Sequence, residues 1–280
     1  MARRSLLFTP GDRPSMMRKA PETGADVLVF DLEDAVSPDA KAEARAAVRD
    51  LLSDPSFDPD AEVLVRLNPV GLSADEDLDV LAEGDGRPDG VMLPKVADAD
   101  QVSTGARMLA EHDYPGRIVP LAESAAGVLH AEAIAAADAT VAIAFGAEDL
   151  AADIGATRTD EGVEVLHARE HVVLAAAAAN VDAIDTVFTD FEDTSGLEED
   201  ARFAVRLGYD GKLAIHPAQV EPINRAFTPD STDVEWARRV VAARDETDNG
   251  VFSVDGEMID APLLSQAERI LARAEAADSA

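Results

Sequence analysis

The stretch TVAIAFGAED, residues 140–149, runs apolar from Val141 to Phe145 and then sets two acids just beyond a glycine. An apolar segment of that length without alternation fits a strand covered on both faces, as in a parallel sheet. Glu148 and Asp149 then stand where the strand ends. The same layout recurs in SLLFTPG (5–11), VLVFDLED (27–34), EVLVRLNP (62–69), GVMLPKV (90–96), RIVPLAES (117–124), AIDTVFTDF (183–191) and KLAIHP (212–217). With 140–149 these make eight strands, the number that closes a parallel barrel.

Between the strands, PDAKAEARAAVRDLLSD, DADQVSTGARMLAEH, GVLHAEAIAAAD and EVLHAREHVVLAAAAAN carry apolar residues at three-to-four spacing, the pattern of helices packed on a core. The sequence therefore predicts an α/β fold, a (β/α)8 TIM barrel over residues 1–217. A doubly wound open sheet is the competing reading, weakened because no Gly-rich phosphate turn follows the first strand. Beyond residue 217 come EPINRAF, VEWARRVVAARDET, the short DNGVFSVDGEMIDAPLL and SQAERILARAEAA, which predict a C-terminal helical extension and lid over 218–280.

Composition narrows the function. Cysteine is absent, which removes disulfides, thiolate catalysis and Cys-ligated zinc. No apolar stretch reaches membrane-spanning length, and the reading is a cytoplasmic protein. The net charge of −32 comes from 56 acids against 24 Lys and Arg, and lysine occurs only at Lys19, Lys41, Lys95 and Lys212. Such a surface repels nucleic acid and anionic membranes, and it predicts a halophilic protein whose self-repulsion is screened by salt. With one residue in five acidic, acidity alone is a weak clue.

Position informs more. In a parallel barrel the active site lies at the C-terminal ends of the strands, where every βα loop opens. The polar residues at those exits are Asp31, Glu33 and Asp34; Arg66 and Asn68; Lys95; Glu123 and Ser124; Glu148 and Asp149; and His216. Glu123 and Asp149 end consecutive strands, so the barrel brings them side by side. Two carboxylates in one pocket need a proton or a cation between them, and oxygen ligands without His or Cys favour Mg²⁺. Helix N-caps at the βα turns would use the same residues. Arg66 interrupts the apolar run VLVRL and needs a carboxylate, either from a substrate or from Asp31 or Glu33. Lys95 gains interest from the scarcity of lysine, against the reading of a solvated loop residue. His167-Ala-Arg-Glu-His171 matches the H-x-x-E-H zinc pattern, but lies in an alanine-rich helix predicted to pack outside the barrel.

Taken in order, RSLLFTPGDRP, VFDLEDAV, VRLN, MLPKV, ESAAG, FGAEDL, IHPAQV and GEMIDAP resemble the citrate lyase β-subunit-like family of acyl-CoA lyases, which includes malyl-CoA, β-methylmalyl-CoA and citramalyl-CoA lyases. The resemblance spans residues 3 to about 272. It implies a Mg²⁺-dependent barrel, with Mn²⁺ as a possible substitute, acting on a CoA thioester. Glu123 and Asp149 would hold the metal, and Arg66 would grip the carboxylate of a small 2-oxo acid. Glu33 and Asp34 would lie near the metal and order its waters, while Phe8, Pro10, Arg13 and Lys95 would line the CoA or substrate channel. Asp260 would enter from a neighbouring subunit as the acid/base, making the active form a homotrimer or homohexamer. ESAAG departs from some members by carrying Ala126 where they have arginine, which bears on the exact substrate.

The resemblance implies cleavage of malyl-CoA or β-methylmalyl-CoA to glyoxylate and acetyl-CoA or propionyl-CoA. Citramalyl-CoA cleavage would release pyruvate instead, and a citrate lyase β subunit would need an acyl-carrier partner. A malyl-CoA thioester hydrolase would release malate. A non-catalytic scaffold subunit would not require Glu123, Asp149, Arg66 and Asp260 together.

Overall fold

The computed structural model describes residues 2–246 and 250–278. Eight parallel strands close into one barrel in sequence order: β1 (Ser5–Pro10), β2 (Val27–Asp31), β3 (Glu62–Arg66), β4 (Gly90–Leu93), β5 (Ile118–Ala122), β6 (Ala142–Phe145), β7 (Asp182–Asp185) and β8 (Gly211–Ala214), with β8 pairing back onto β1. All eight segments expected from the sequence contain strands, each of which ends before its segment does.

Strand side chains alternate between the barrel interior and the layer beneath the helices. Leu6, Val27, Val29, Leu64, Met92, Val119, Leu121, Ala142, Ala144, Ile184 and Leu213 fill the interior as one apolar cluster. Their neighbours along the strands, such as Leu28, Phe30, Val65, Ile143 and Phe145, join the larger outer core. The period of two also fixes what stands above the interior plug. Two residues beyond Val29, Leu64, Leu121, Ala144, Ile184 and Leu213 come Asp31, Arg66, Glu123, Gly146, Thr186 and Ile215. Apolar residues seal the barrel below, and the next inward layer is polar and open.

The opposite end is tied by ions: Arg3 pairs with Glu62 and with Asp182, each at 2.6 Å, bridging the starts of β3 and β7. Outside the wall, Lys212 and Asp185 have fully buried side chains at 2.7 Å, and Asp200 and Arg169 from two outer helices complete the cluster. Removing one partner of such a cluster leaves buried charge uncompensated. Lys212→Ala is expected to cost about 3–5 kcal/mol of stability, read from the denaturant midpoint. A cost below about 1 kcal/mol would show that Arg169 alone neutralises both aspartates.

Two elements differ from the sequence reading. GVLHAEAIAAAD is two short helices, Ala125–Leu129 and Ala131–Ala135, parted at His130, whose Nδ1 lies 2.8 Å from the Ala97 carbonyl. Residues 252–259, expected within a helical extension, form an antiparallel hairpin of β9 (Phe252–Val254) and β10 (Glu257–Ile259). Asp255 and Gly256 turn it with φ of 51° and 86°, the doubly left-handed pair of a type I′ hairpin.

The helix Val220–Phe227, read as the start of the extension, packs on β1, β8 and the helix Thr194–Leu207 and so completes the outer ring. The helices Ser231–Asp245 and Ala261–Asp278 then pack with the hairpin around their own small core of Ala237, Val240, Val254, Ile259 and Ala267. Among the described residues no helix is long and apolar enough to cross a membrane.

Candidate active site

A cleft of about 240 Å³ opens at the C-terminal mouth of the barrel. Its floor includes Phe8, Leu121 and Leu213, and its walls include Pro10, Asp31, Arg66, Glu123, Gly146, Asp149 and Thr186. These are the top two inward layers of the strands together with the start of the helix that follows β6.

Arg66 is held as a fork: its Nε reaches Asp31 Oδ1 at 2.7 Å and its Nη2 reaches Asp31 Oδ2 at 2.5 Å. Its Nη1 lies 3.2 Å from Glu33 Oε2, and the guanidinium carbon sits 4.6 Å from the centre of the Phe8 ring. Both carboxylates that the sequence offered as structural partners therefore hold Arg66, and the ring fixes the plane of its guanidinium. Burial pulls the Arg66 pKa down, but Asp31 and Glu33 outweigh it and keep the side chain charged. Lys95 Nζ pairs closely with Glu33 and reaches Asp34 at 3.4 Å, so Glu33, Asp34, Arg66 and Lys95 form one cluster. Burial raises the Glu33 pKa, and the Arg66 charge opposes it.

Lys95 adopts φ of 54°, rare for a residue with a side chain, and this aims its backbone N–H at Glu123 Oε1, 2.7 Å away. Glu123 is 5% exposed. Burial pushes its carboxyl up to about 7, against the Lys95 hydrogen bond, and the nearby Asp149 charge pushes it further. Asp149 lies in the first turn of the helix Ala147–Asp153, where glycine at 146 is required: a Cβ there would stand 2.5 Å from Glu123 Cβ and 2.7 Å from its Oε2. Glu123 and Asp149 thus converge as a buried carboxylate and a helix-borne one with their charges in conflict.

The other exit residues have local work. Ser124 caps the helix Ala125–Leu129 by accepting from Gly127 N at 3.0 Å, and His216 Nδ1 accepts from Ala218 N at 3.2 Å. Asn68 donates to Leu32 O and to Asp77, and Glu148 pairs with Arg158 at 2.9 Å. Arg13 is outside the cleft lining, its side chain 65% exposed. Asp260 is also outside it, exposed where the hairpin meets the helix Ala261–Asp278, whose Leu263 N it accepts at 3.3 Å. Farther along that helix, Arg273 binds Tyr209 O and Asp210 at the start of β8, the barrel end opposite the cleft. His167 and His171 share a helix face with ring centres 6.1 Å apart. Among the described residues no group of three or more His, Asp or Glu is assembled for a metal there or elsewhere.

The residues that the sequence singles out at the strand exits include none on β7. The structure puts Thr186 there, in the cleft.

Residues 4–217 match the sequence profile of the HpcH/HpaI aldolase/citrate lyase family. The chain belongs to that family. Members of the HpcH/HpaI group are carbon–carbon lyases, and this chain is an enzyme of that class. Mycobacterium tuberculosis protein CitE, crystallised with magnesium, acetoacetate and coenzyme A, superposes with a TM-score of 0.82 at 38% identity over 98% of each chain. Human mitochondrial citramalyl-CoA lyase is 34% identical over 95% of this chain and 84% of its own length. The citrate lyase β subunit of Leuconostoc mesenteroides is 35% identical over 98% of this chain and 94% of its own. The HpcH/HpaI profile ends at residue 217, so the hairpin and the last two helices lie beyond it, while these relatives extend across them.

Proposed function

We propose that this protein is a Mg²⁺-dependent acyl-CoA lyase that reversibly cleaves malyl-CoA or β-methylmalyl-CoA to glyoxylate and acetyl-CoA or propionyl-CoA. The convergence of Glu123 and Asp149 in the cleft, facing a charged Arg66, carries the reading. A carboxyl pushed up by burial, and further by a second carboxylate, is a site in want of a cation, and an all-oxygen donor pair suits Mg²⁺, which keeps positions for water and substrate. A bound Mg²⁺ supplies a Lewis acid for an oxo group. Mn²⁺ favours similar ligands and is the expected substitute.

The chain's own residues do the rest. Glu123 and Asp149 hold the cation, with Glu33 and Asp34 beside them ordering water. Arg66, aligned by Asp31 and Phe8, binds the oxo-acid carboxylate. Phe8 and Pro10 line the approach of the thioester, with Lys95 and the exposed Arg13 farther out as cations for the CoA phosphates. Asp260 protonates the α-carbon of the departing acyl thioester during cleavage and takes that proton back during condensation.

Asp260 serves a neighbouring subunit's cleft in this reading, in a homotrimer or homohexamer. It does not line its own cleft, and its carboxylate is turned to its own helix, accepting from Leu263 N. Leu72, Phe191 and Ile215 on the loops at the mouth, and Met258 on the hairpin, expose large apolar side chains that such an assembly would cover.

Gly146→Ala is expected to push Glu123 aside and weaken Mg²⁺ binding at least about tenfold, measured by calorimetry. An unchanged affinity would remove Glu123 from the metal site. The function is tested by offering malyl-CoA, β-methylmalyl-CoA and citramalyl-CoA separately with Mg²⁺ in about 2 M KCl, which screens the acidic surface. Glyoxylate is the expected product. The human relative favours a second reading, citramalyl-CoA cleavage, which pyruvate would establish. Free malate would mark a hydrolase, and no product from any of the three would overturn the lyase reading.

A further inference from the structure

Thr186 is 4% exposed, faces the cleft, and is fixed at both ends. Its carbonyl accepts from Lys212 Nζ at 2.7 Å, out in the buried ion cluster behind the wall. Its Oγ1 accepts from the Ala147 backbone N–H at 3.0 Å, across the seam between the exits of β7 and β6. A threonine hydroxyl has one proton and two lone pairs. The Ala147 contact uses a lone pair and turns the hydroxyl, but leaves the proton unspent. Among the described residues none accepts it. A buried donor without a partner is costly, and the space left to this one is the cleft.

β7 stands four places from β3 around the barrel, so Thr186 faces the cleft from the side opposite Arg66. It also adjoins the helix turn that carries Asp149. The oxygens of a small 2-oxo acid are acceptors only, so a donor in this cleft has a use for each that Arg66 and the Glu123–Asp149 side leave free. We propose that the Thr186 hydroxyl is a substrate-binding donor, giving its proton to an oxygen of the bound 2-oxo acid on the side away from Arg66, with the Ala147 N–H setting its direction. The assignment rests on the lyase reading above and adds a contact to it.

The test is calorimetric titration of pyruvate, with glyoxylate in parallel, into the full-length Mg²⁺-loaded protein and its Thr186→Val, Thr186→Ala and Thr186→Ser variants. Loss of this hydrogen bond, with an oxo-acid oxygen left unpaired in a buried cleft, is expected to weaken oxo-acid binding about tenfold or more in the Val and Ala variants. The Ser variant, which keeps the hydroxyl, should stay within about threefold of the parent. Titration of Mg²⁺ alone should give affinities within about threefold of the parent for every variant. If Mg²⁺ affinity falls in step with oxo-acid affinity, Thr186 only supports the helix turn and the proposal fails. It fails equally if Val and Ala both bind the oxo acids as the parent does. A parent protein that binds Mg²⁺ but neither oxo acid overturns the lyase reading itself, and this proposal with it.

Discussion

Glu123→Gln is expected to abolish magnesium-dependent turnover while making the metal-free protein more stable above neutral pH. The first effect follows from the loss of a metal-holding carboxylate. Even groups that merely support metal ligands cost up to about a hundredfold when removed, so a drop of at least about a hundredfold is expected here. The second follows from the raised carboxyl. Glu123 ionises near 4.5 in an exposed chain and about 7 in the fold, because burial and Asp149 oppose its charge. Between those pH values the folded protein still binds a proton that the unfolded chain has released. Stability of the chelated protein therefore falls as pH rises from about 4.5 to 7, and the deficit persists above. Glutamine keeps an acceptor for the Lys95 N–H and removes the charge. In the presence of a chelator at pH 8 the variant should exceed the parent by about 2–3 kcal/mol, and the gap should close at acid pH. Chemical denaturation at both pH values measures it. A gap that does not change with pH would mean that Glu123 is not held near neutrality by its surroundings.

The second large effect is expected at Asp260, which does not line the cleft of its own chain. Asp260→Asn should bind Mg²⁺ as the parent does and lose about 10²–10⁴ in turnover, the usual contribution of a positioned proton donor. Near-normal turnover would refute its role. The variant also tests the assembly. Mixing Asp260→Asn subunits with Glu123→Gln subunits pairs an intact cleft with an intact lid at about a quarter of the sites if lids are exchanged around a ring at random. Activity regained from two inactive proteins would establish donation between subunits. None regained, with mixed oligomers demonstrated, would require each chain to close its own cleft.

The barrel was legible because two short-range rules act on the sequence directly. Apolar runs of strand length separated by helix-period segments admit few arrangements, and eight of them in alternation admit fewer. Asp255-Gly256 also carried a readable signal, an Asp-Gly pair between short apolar segments, yet the surrounding helical pattern masked the hairpin. The break at His130 had no such signal, since it depends on a carbonyl from a different βα loop. Thr186 was reachable by counting two from Ile184, although nothing in AIDTVFTDF marks a threonine as unusual.

What the sequence determined by itself, then, is the order of elements, the inward column of each strand and the residues available at the mouth, because a period of two is a property of the backbone alone. Barrel closure settles which of those residues meet. Asp31 takes the inner edge of the Arg66 fork and sets its plane toward the cleft; Lys95 turns left-handed to aim its amide at Glu123; Lys212 and Asp185 are driven behind the wall into a buried ion cluster; and Asp260 does not line its own cleft. Each of the first three joins residues far apart in the chain. Their pairing follows from barrel closure and from the cost of leaving a buried charge without a partner, neither of which a local stretch of sequence encodes.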